Sequence, residues 1–264
     1  MGAIDVDTDL GPIRFLGRDA GAPVVLVITG AFAMENQVDR LQDRFPSLDV
    51  LRAHLPGNHS PPMDIPSVGV FGAAFTAALD ARFPGRPLVL VGLSVGALVA
   101  MATRARGTRA MLLVEPPLVI TEAWPLEALP REAPPGNEEF LWNVFGLGRA
   151  VIEPRDYRPL VSQIGVPAHV LLGDPPPPRG PWGNTMPGLV GPLSRAALKA
   201  NPRITIQDLP GVGHHVVRHA GFELLAAIHR TAELAFGAEA AALNLPPGVT
   251  LPAYTPPGPR RGSA

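Results

Sequence analysis

The residues best placed to do chemistry lie in Val91-Gly92-Leu93-Ser94-Val95-Gly96-Ala97, a G-x-S-x-G between an apolar run and a helix-forming one. A serine oxygen that attacks an ester or thioester must stand clear of the backbone. A tight strand-to-helix turn achieves this by holding the serine in strained geometry. Small neighbours are then required, and Gly92 and Gly96 supply them. The start of the following helix also favours developing negative charge. The bland alternative is a glycine-flanked serine that only caps a helix, and the strand before Ser94 weighs against it. A serine hydroxyl is too weakly acidic to attack unaided at neutral pH, so an imidazole must take its proton and a carboxylate must orient that imidazole.

The chain holds seven histidines. His54 and His169 fall within expected strands and read as core residues with their nitrogens satisfied, and His219 and His229 carry no chemical context. His214, with His215 as its local competitor, lies in the loop LPGVGHH from Leu209 to His215. Two carboxylates stand at strand ends: Glu115 in LLVEPP, and Asp174 directly before four prolines. Each has an ordinary reading as well, Glu115 as a solvated or turn-capping carboxylate and Asp174 as a turn residue.

The elements that must position these groups follow a βαβ rhythm. Val24 to Thr29 (VVLVIT) is a short β-branched run of the kind buried on both faces of a parallel sheet. After it come an expected helix from about Glu35 to Phe45, a strand in Val50 to Leu55, a helix over Val68 to Arg82 and a strand at Leu88 to Gly92. A helix over Ala97 to Arg106 and a strand in Ala110 to Val114 follow. The later strands are expected at Ala168 to Gly173 and Arg203 to Gln207, with helices near Leu193 to Ala200 and Gly221 to Phe236. Alternating strands and helices imply crossover connections, hence an α/β fold with a mostly parallel central sheet and helices on both faces. Between about 116 and 160 the rhythm breaks into a Pro-interrupted segment with Trp124, Phe140, Trp142 and Phe145, which reads as a cap or lid insertion. Trp124 and Trp142, with Phe32, are its candidate substrate contacts. The domain is expected to span 1–243, and the Pro- and Gly-rich stretch 244–264 to be a solvated, dispensable tail.

From about Val24 to Phe236 the chain resembles the α/β-hydrolase fold superfamily, in particular its serine esterases and thioesterases. The resemblance rests on the elbow at Ser94, the turn Thr29-Gly30-Ala31-Phe32, the loop Leu55 to Ser60 and the G-x-G-H at Gly211 to His214. It implies Ser94 as nucleophile and His214 as base. It also implies an oxyanion hole from the N–H groups of Ala31 and Val95, with Phe32 the alternative to Ala31. Thr29 stands where such proteins usually carry His, and Asn58 where the Pro-Gly loop often carries one, with His59 beside it. Most members place the acid three residues beyond the Gly that ends the strand matching Ala168 to Gly173. That place is Pro176 here, so Asp174 is the nearby candidate. A minority, including some dehalogenases and thioesterases, place it at the end of the strand after the elbow helix, where Glu115 stands. Glu115 ranks ahead of Asp174.

Composition narrows the function. At 264 residues with 46% hydrophobic and 17% charged residues, the chain can bury one sizeable core. A net charge of −1 provides no footprint for nucleic acid. The absence of cysteine excludes disulfides, thiolate metal sites and cysteine nucleophiles. No metal-ligand spacing, Walker loop or G-x-G-x-x-G is found, so cofactor-free and metal-free chemistry is expected. No apolar run approaches a membrane span and Met1 to Asp9 is acidic, which reads as a cytoplasmic protein without membrane contact. The expected activity is hydrolysis of a small-molecule carboxylic ester or thioester through an acyl-serine. Acyl transfer by the same residues, and a catalytically silent small-molecule binding protein of the same fold, are the alternatives.

Overall fold

The computed structural model describes residues 2–32, 38, 40–132, 135–176 and 185–253. The strands are β1 (Gly2–Val6), β2 (Ile13–Gly17), β3 (Val24–Ile28), β4 (Asp49–Ala53), β5 (Leu88–Leu93), β6 (Thr108–Val114), β7 (Ala168–Leu172) and β8 (Ile204–Asp208). The helices are α1 (Leu41–Arg44), α2 (Val68–Arg82), α3 (Val95–Ala102), α4 (Leu129–Glu132), α5 (Glu138–Phe140), α6 (Arg158–Ser162), α7 (Pro192–Ala200), α8 (Val216–His219) and α9 (Gly221–Phe236).

All five residues of β3 are buried. Val24, Leu26 and Ile28 face one core, whereas Val25 and Val27 face the other. Side chains alternate along a strand, so a strand covered on both faces must be apolar at every position. The same division holds for Leu90 against Val89 and Val91 in β5. Helices α2 and α3 contribute Phe71, Phe75 and Leu98 to the first core, and α9 contributes Leu224, Ala227 and Ile228 to the second. The sheet runs β1-β2-β4-β3-β5-β6-β7-β8. Pairing is parallel from β4 to β8, and β1 and β2 pair antiparallel at one edge. Strand order reverses around β3, which sits between β4 and β5, and the loops after β3 and β5 therefore open beside one another.

The hairpin β1/β2 has no counterpart among the elements expected from sequence: each strand is only five residues, and only β2 alternates cleanly between buried and half-buried positions. Of the helix expected from Glu35 to Phe45, Leu41–Arg44 is helical, and 33–37 and 39 lie outside the described residues. The solvated tail needs correcting. The Asn244 N–H donates to the Arg44 carbonyl at 2.9 Å, and Leu245 and Leu251 pack against the second core. These leucines outweigh the local proline content, so residues through Leu251 dock on the domain. Tyr254 lies outside the described residues.

Between β6 and α6 the described chain forms loops and short helical stretches of three to five residues, α4 and α5 among them. They are held by bridges Val119 to Asp156 and Leu147 to Ile152. The Tyr157 hydroxyl donates to the Val144 carbonyl. Burial pushes that phenol up to about 12, so it stays a donor at physiological pH. Phe140 anchors the segment, with ring centroids 5.3 Å from Phe32 and 6.1 Å from Phe71.

Candidate active site

Ser94 follows β5 directly and opens α3 with φ 54° and ψ −120°, a conformation that costs an L-residue free energy. The surrounding structure enforces it. The Ser94 N–H donates to the Val114 carbonyl at 2.8 Å, and the Ala97 N–H to the Ser94 carbonyl at 2.9 Å. A Cβ on Gly92 would come within 2.3 Å of Ala97 Cα, and one on Gly96 within 2.2 Å of the Ile28 carbonyl oxygen. Any side chain at either position would push strand and helix apart, which is why both flanking residues are glycine.

Glu115 follows β6 and takes φ 49°, another strained backbone position. Its side chain is 1% exposed. One carboxylate oxygen, Oε1, accepts the Gly173 N–H at 2.8 Å, and Oε2 accepts the Leu189 N–H at 2.7 Å. Oε2 also faces His214 Nδ1 at 3.5 Å, the long limit of a hydrogen bond. His214 is held from behind, its N–H donating to the Met186 carbonyl at 3.0 Å. With Nδ1 turned to Glu115, Nε2 is the ring nitrogen left for a reacting group. Asp174 is exposed and does something else: its Oδ2 accepts the Gly211 N–H at 2.8 Å, bracing the loop that carries His214. The structure thus brings Glu115, and not Asp174, to the imidazole.

Beside the elbow, the turn after β3 is pinned by two side chains. Thr29 Oγ1 lies 3.0 Å from His54 Nδ1, both buried. Asn58, 4% exposed, accepts the Phe32 N–H on Oδ1 at 2.8 Å, and among the described residues its Nδ2 has no hydrogen-bond partner. Phe32 takes φ 58°. Its amide is therefore committed, and of the two amides considered in this turn that of Ala31 makes no hydrogen bond among the described residues. Val95 is the first residue of α3, so its N–H has no carbonyl to bond within the helix. Asn58 is the residue that sequence reasoning undervalues. A polar residue with no regular element around it carries no periodic signal, and only the folded turn reveals its partner.

A cavity of about 240 Å³ opens over these groups, lined by Gly30, Ala31, Leu93, Ser94, Val114, His214, His215, Val216, Val217 and Arg218. Ser94 and His214 share it, although no hydrogen bond joins them. Phe32, Trp124 and Trp142, expected at the substrate, are absent from its described lining. The reason is packing. Phe140 and Phe145 are buried in the first core with Phe32 against them, and Trp142 lies under the Arg155 guanidinium, 5.5 Å from its ring centroid. Partial burial, then the neighbouring His214, His219 and Arg218, hold the His215 imidazole below its usual value, so His215 is neutral at pH 7. His59 lies outside the lining with its ring 5.3 Å from that of His54. Among the described residues no group of three or more His, Asp and Glu could hold a metal ion, and no helix is long and apolar enough to cross a membrane.

The sheet order, the strained serine between β5 and α3, and the loop after β8 that carries His214 define an α/β-hydrolase fold, and comparison with solved structures agrees. The chain is similar to an esterase from Thermogutta terrifontis at 16% identity, covering 89% of this chain and 100% of that one with a TM-score of 0.62. It is similar to E-2-(acetamidomethylene)succinate hydrolase at 16% identity, covering 88% and 100% with a TM-score of 0.62. An esterase from Pyrococcus furiosus matches at 13% identity, covering 88% and 90% with a TM-score of 0.62. No protein-family model and no curated protein matches the sequence. The chain has the α/β-hydrolase fold.

Proposed function

We propose that this protein is a serine hydrolase that cleaves a small carboxylic ester or thioester through an acyl-serine intermediate. The observation that carries the reading is the buried Glu115 carboxylate against His214 Nδ1, with that imidazole sharing one cavity with the strained Ser94. In this mechanism His214 Nε2 takes the Ser94 proton as Oγ attacks the carbonyl carbon. Glu115 holds the imidazole's orientation and offsets the positive charge that develops on it. The Ala31 and Val95 amides donate to the oxyanion. His214 then returns the proton to the leaving alcohol or thiol, and a water activated by the same imidazole releases the acid. The segment from Pro116 to about Pro159 acts as a cap, resting on the turn after β3 through Phe140. The hydrolases and esterases to which the chain is similar support this class of chemistry.

The missing hydrogen bond between Ser94 and His214 favours a second reading, a silent binding protein, although such bonds often tighten only when substrate is present. A fluorophosphonate probe separates the two. Labelling of the wild type at Ser94, lost in Ser94→Ala along with turnover of short-chain p-nitrophenyl esters, is expected. A folded wild-type protein that stays unlabelled and turns over no ester would leave only the binding reading.

A further inference from the structure

The lining of the cavity bears on which substrate Ser94 would receive. Among its described side chains Arg218 carries the one permanent charge, and no carboxylate is present. Arg218 is exposed, and among the described residues its guanidinium makes no ion pair and no hydrogen bond. Elsewhere Arg14, Arg86, Arg158 and Arg195 each hold a carboxylate. The ionisable groups felt around His215 are His214, His219 and Arg218, which are either cationic or neutral. The nearby Glu115 carboxylate lies behind His214, 1% exposed, with both oxygens already accepting backbone N–H groups. Nothing described at the cavity mouth therefore neutralises Arg218.

We propose that Arg218 is a specificity-determining residue that binds a carboxylate of the substrate, so that Ser94 receives small monoanionic esters or thioesters. This rests on the acyl-serine reading above. A guanidinium stays charged at every physiological pH, and its planar fork matches the two oxygens of a carboxylate. Arg218 stands four residues beyond His214 on the same cavity wall, so a group it holds is kept to one side of the reacting carbonyl. The cavity, about 240 Å³, suits an acid of a few carbons. One guanidinium balances a single negative charge, and a phosphate dianion would keep a charge uncompensated there. The preferred ligand is therefore a carboxylate.

The test is binding to the Ser94→Ala protein, which cannot turn substrate over, measured by titration calorimetry at low ionic strength. Monomethyl succinate is expected to bind about tenfold more tightly than dimethyl succinate, the order of advantage for a charge-assisted bidentate pair at a partly exposed site. In the Ser94→Ala, Arg218→Gln double variant that preference is expected to fall below about twofold. Added salt should shrink it in the first protein only. Equal binding of the two esters, a preference that survives Arg218→Gln, or a half-ester that fails to bind at millimolar concentration overturns the proposal. Methyl phosphate binding more tightly than the half-ester overturns the choice of carboxylate. Probe labelling of wild-type Ser94 is read separately, so a hydrolase without carboxylate preference and a carboxylate binder without a reactive serine give different results.

Discussion

Replacing Glu115 by Gln tests the carboxylate's role most directly, and the structure sets the magnitudes. Both oxygens of Glu115 accept hydrogen bonds, from Gly173 N–H at 2.8 Å and from Leu189 N–H at 2.7 Å, and Oε2 also faces His214 Nδ1 at 3.5 Å. A glutamine offers one oxygen and one NH₂ group in the same space. With its oxygen toward Gly173, the NH₂ meets the Leu189 N–H and His214, favouring the wrong imidazole tautomer. Turned over, it keeps an acceptor for His214 but sets NH₂ against the Gly173 N–H. Either arrangement leaves a buried donor unpaired, at about 1–3 kcal/mol of stability. Either also removes the negative charge that stabilises the imidazolium. In serine proteases, changing the triad Asp to Asn lowers the rate by about 10⁴. Because the second arrangement preserves the tautomer, the expected loss in kcat here is about 10²- to 10⁴-fold, roughly 3–5 kcal/mol of barrier. Asp174→Asn keeps an oxygen for the Gly211 N–H on an exposed loop, and should cost less than about tenfold. The assay is steady-state turnover of a p-nitrophenyl ester by each variant, with thermal unfolding measured alongside. A folded Glu115→Gln protein within tenfold of wild type, or an Asp174→Asn protein more impaired than Glu115→Gln, would refute the assignment.

Three further outcomes are expected. Asn58→Ala removes the acceptor of the Phe32 N–H and frees the turn that carries Ala31; kcat should fall about 10- to 100-fold with KM less affected, less than the loss of a whole oxyanion donor. Unchanged kcat would show that the turn holds its shape without Asn58. Burial holds His169 near 4 against an ordinary value of 6.5. Between those values the unfolded chain binds a proton that the folded chain does not, so stability falls as pH drops from about 6.5 to about 4, by at most roughly 3 kcal/mol. Denaturant titrations across that range should show a flatter acid limb in His169→Gln, and an identical slope would count against the assignment. Truncation before Asn244 removes the bond to the Arg44 carbonyl and the packing of Leu245 and Leu251, and should cost roughly 2 kcal/mol, a Tm drop of about 4–8 °C by scanning calorimetry. An unaltered Tm would return these residues to the status of a free tail.

What the sequence could determine by itself was what short-range physics dictates. The doubly buried strands are legible because side-chain alternation and two-sided burial leave a short run without polar residues, as in β3 and β5. Helices α2 and α9 have the bounds that the sequence predicts, Val68–Arg82 and Gly221–Phe236. The elbow is legible too, because the strain at Ser94 and the close approach of α3 to β3 and β5 require glycine at two fixed offsets. The edge hairpin β1/β2 leaves no comparable trace, and the docking of Leu245 and Leu251 depends on an apolar surface assembled from distant segments.

The candidate site divides in the same way. Glu115 and Asp174 look alike as strand-end carboxylates. Parallel pairing of β6 with β7 sets Glu115 beside Gly173, and the loop at Leu189 then closes over it, while Asp174 turns outward to Gly211. Glu115 and His214 are 99 residues apart, and no local periodicity encodes a contact of that separation. The same holds for Asn58 at the Phe32 amide and for Arg218 on the cavity wall: each residue type is visible in the chain, but its partner or its lack of one is a property of the folded surface. Backbone strain and strand burial act within a few residues and leave a pattern in the chain, whereas electrostatic partnership acts through space and is decided by tertiary structure.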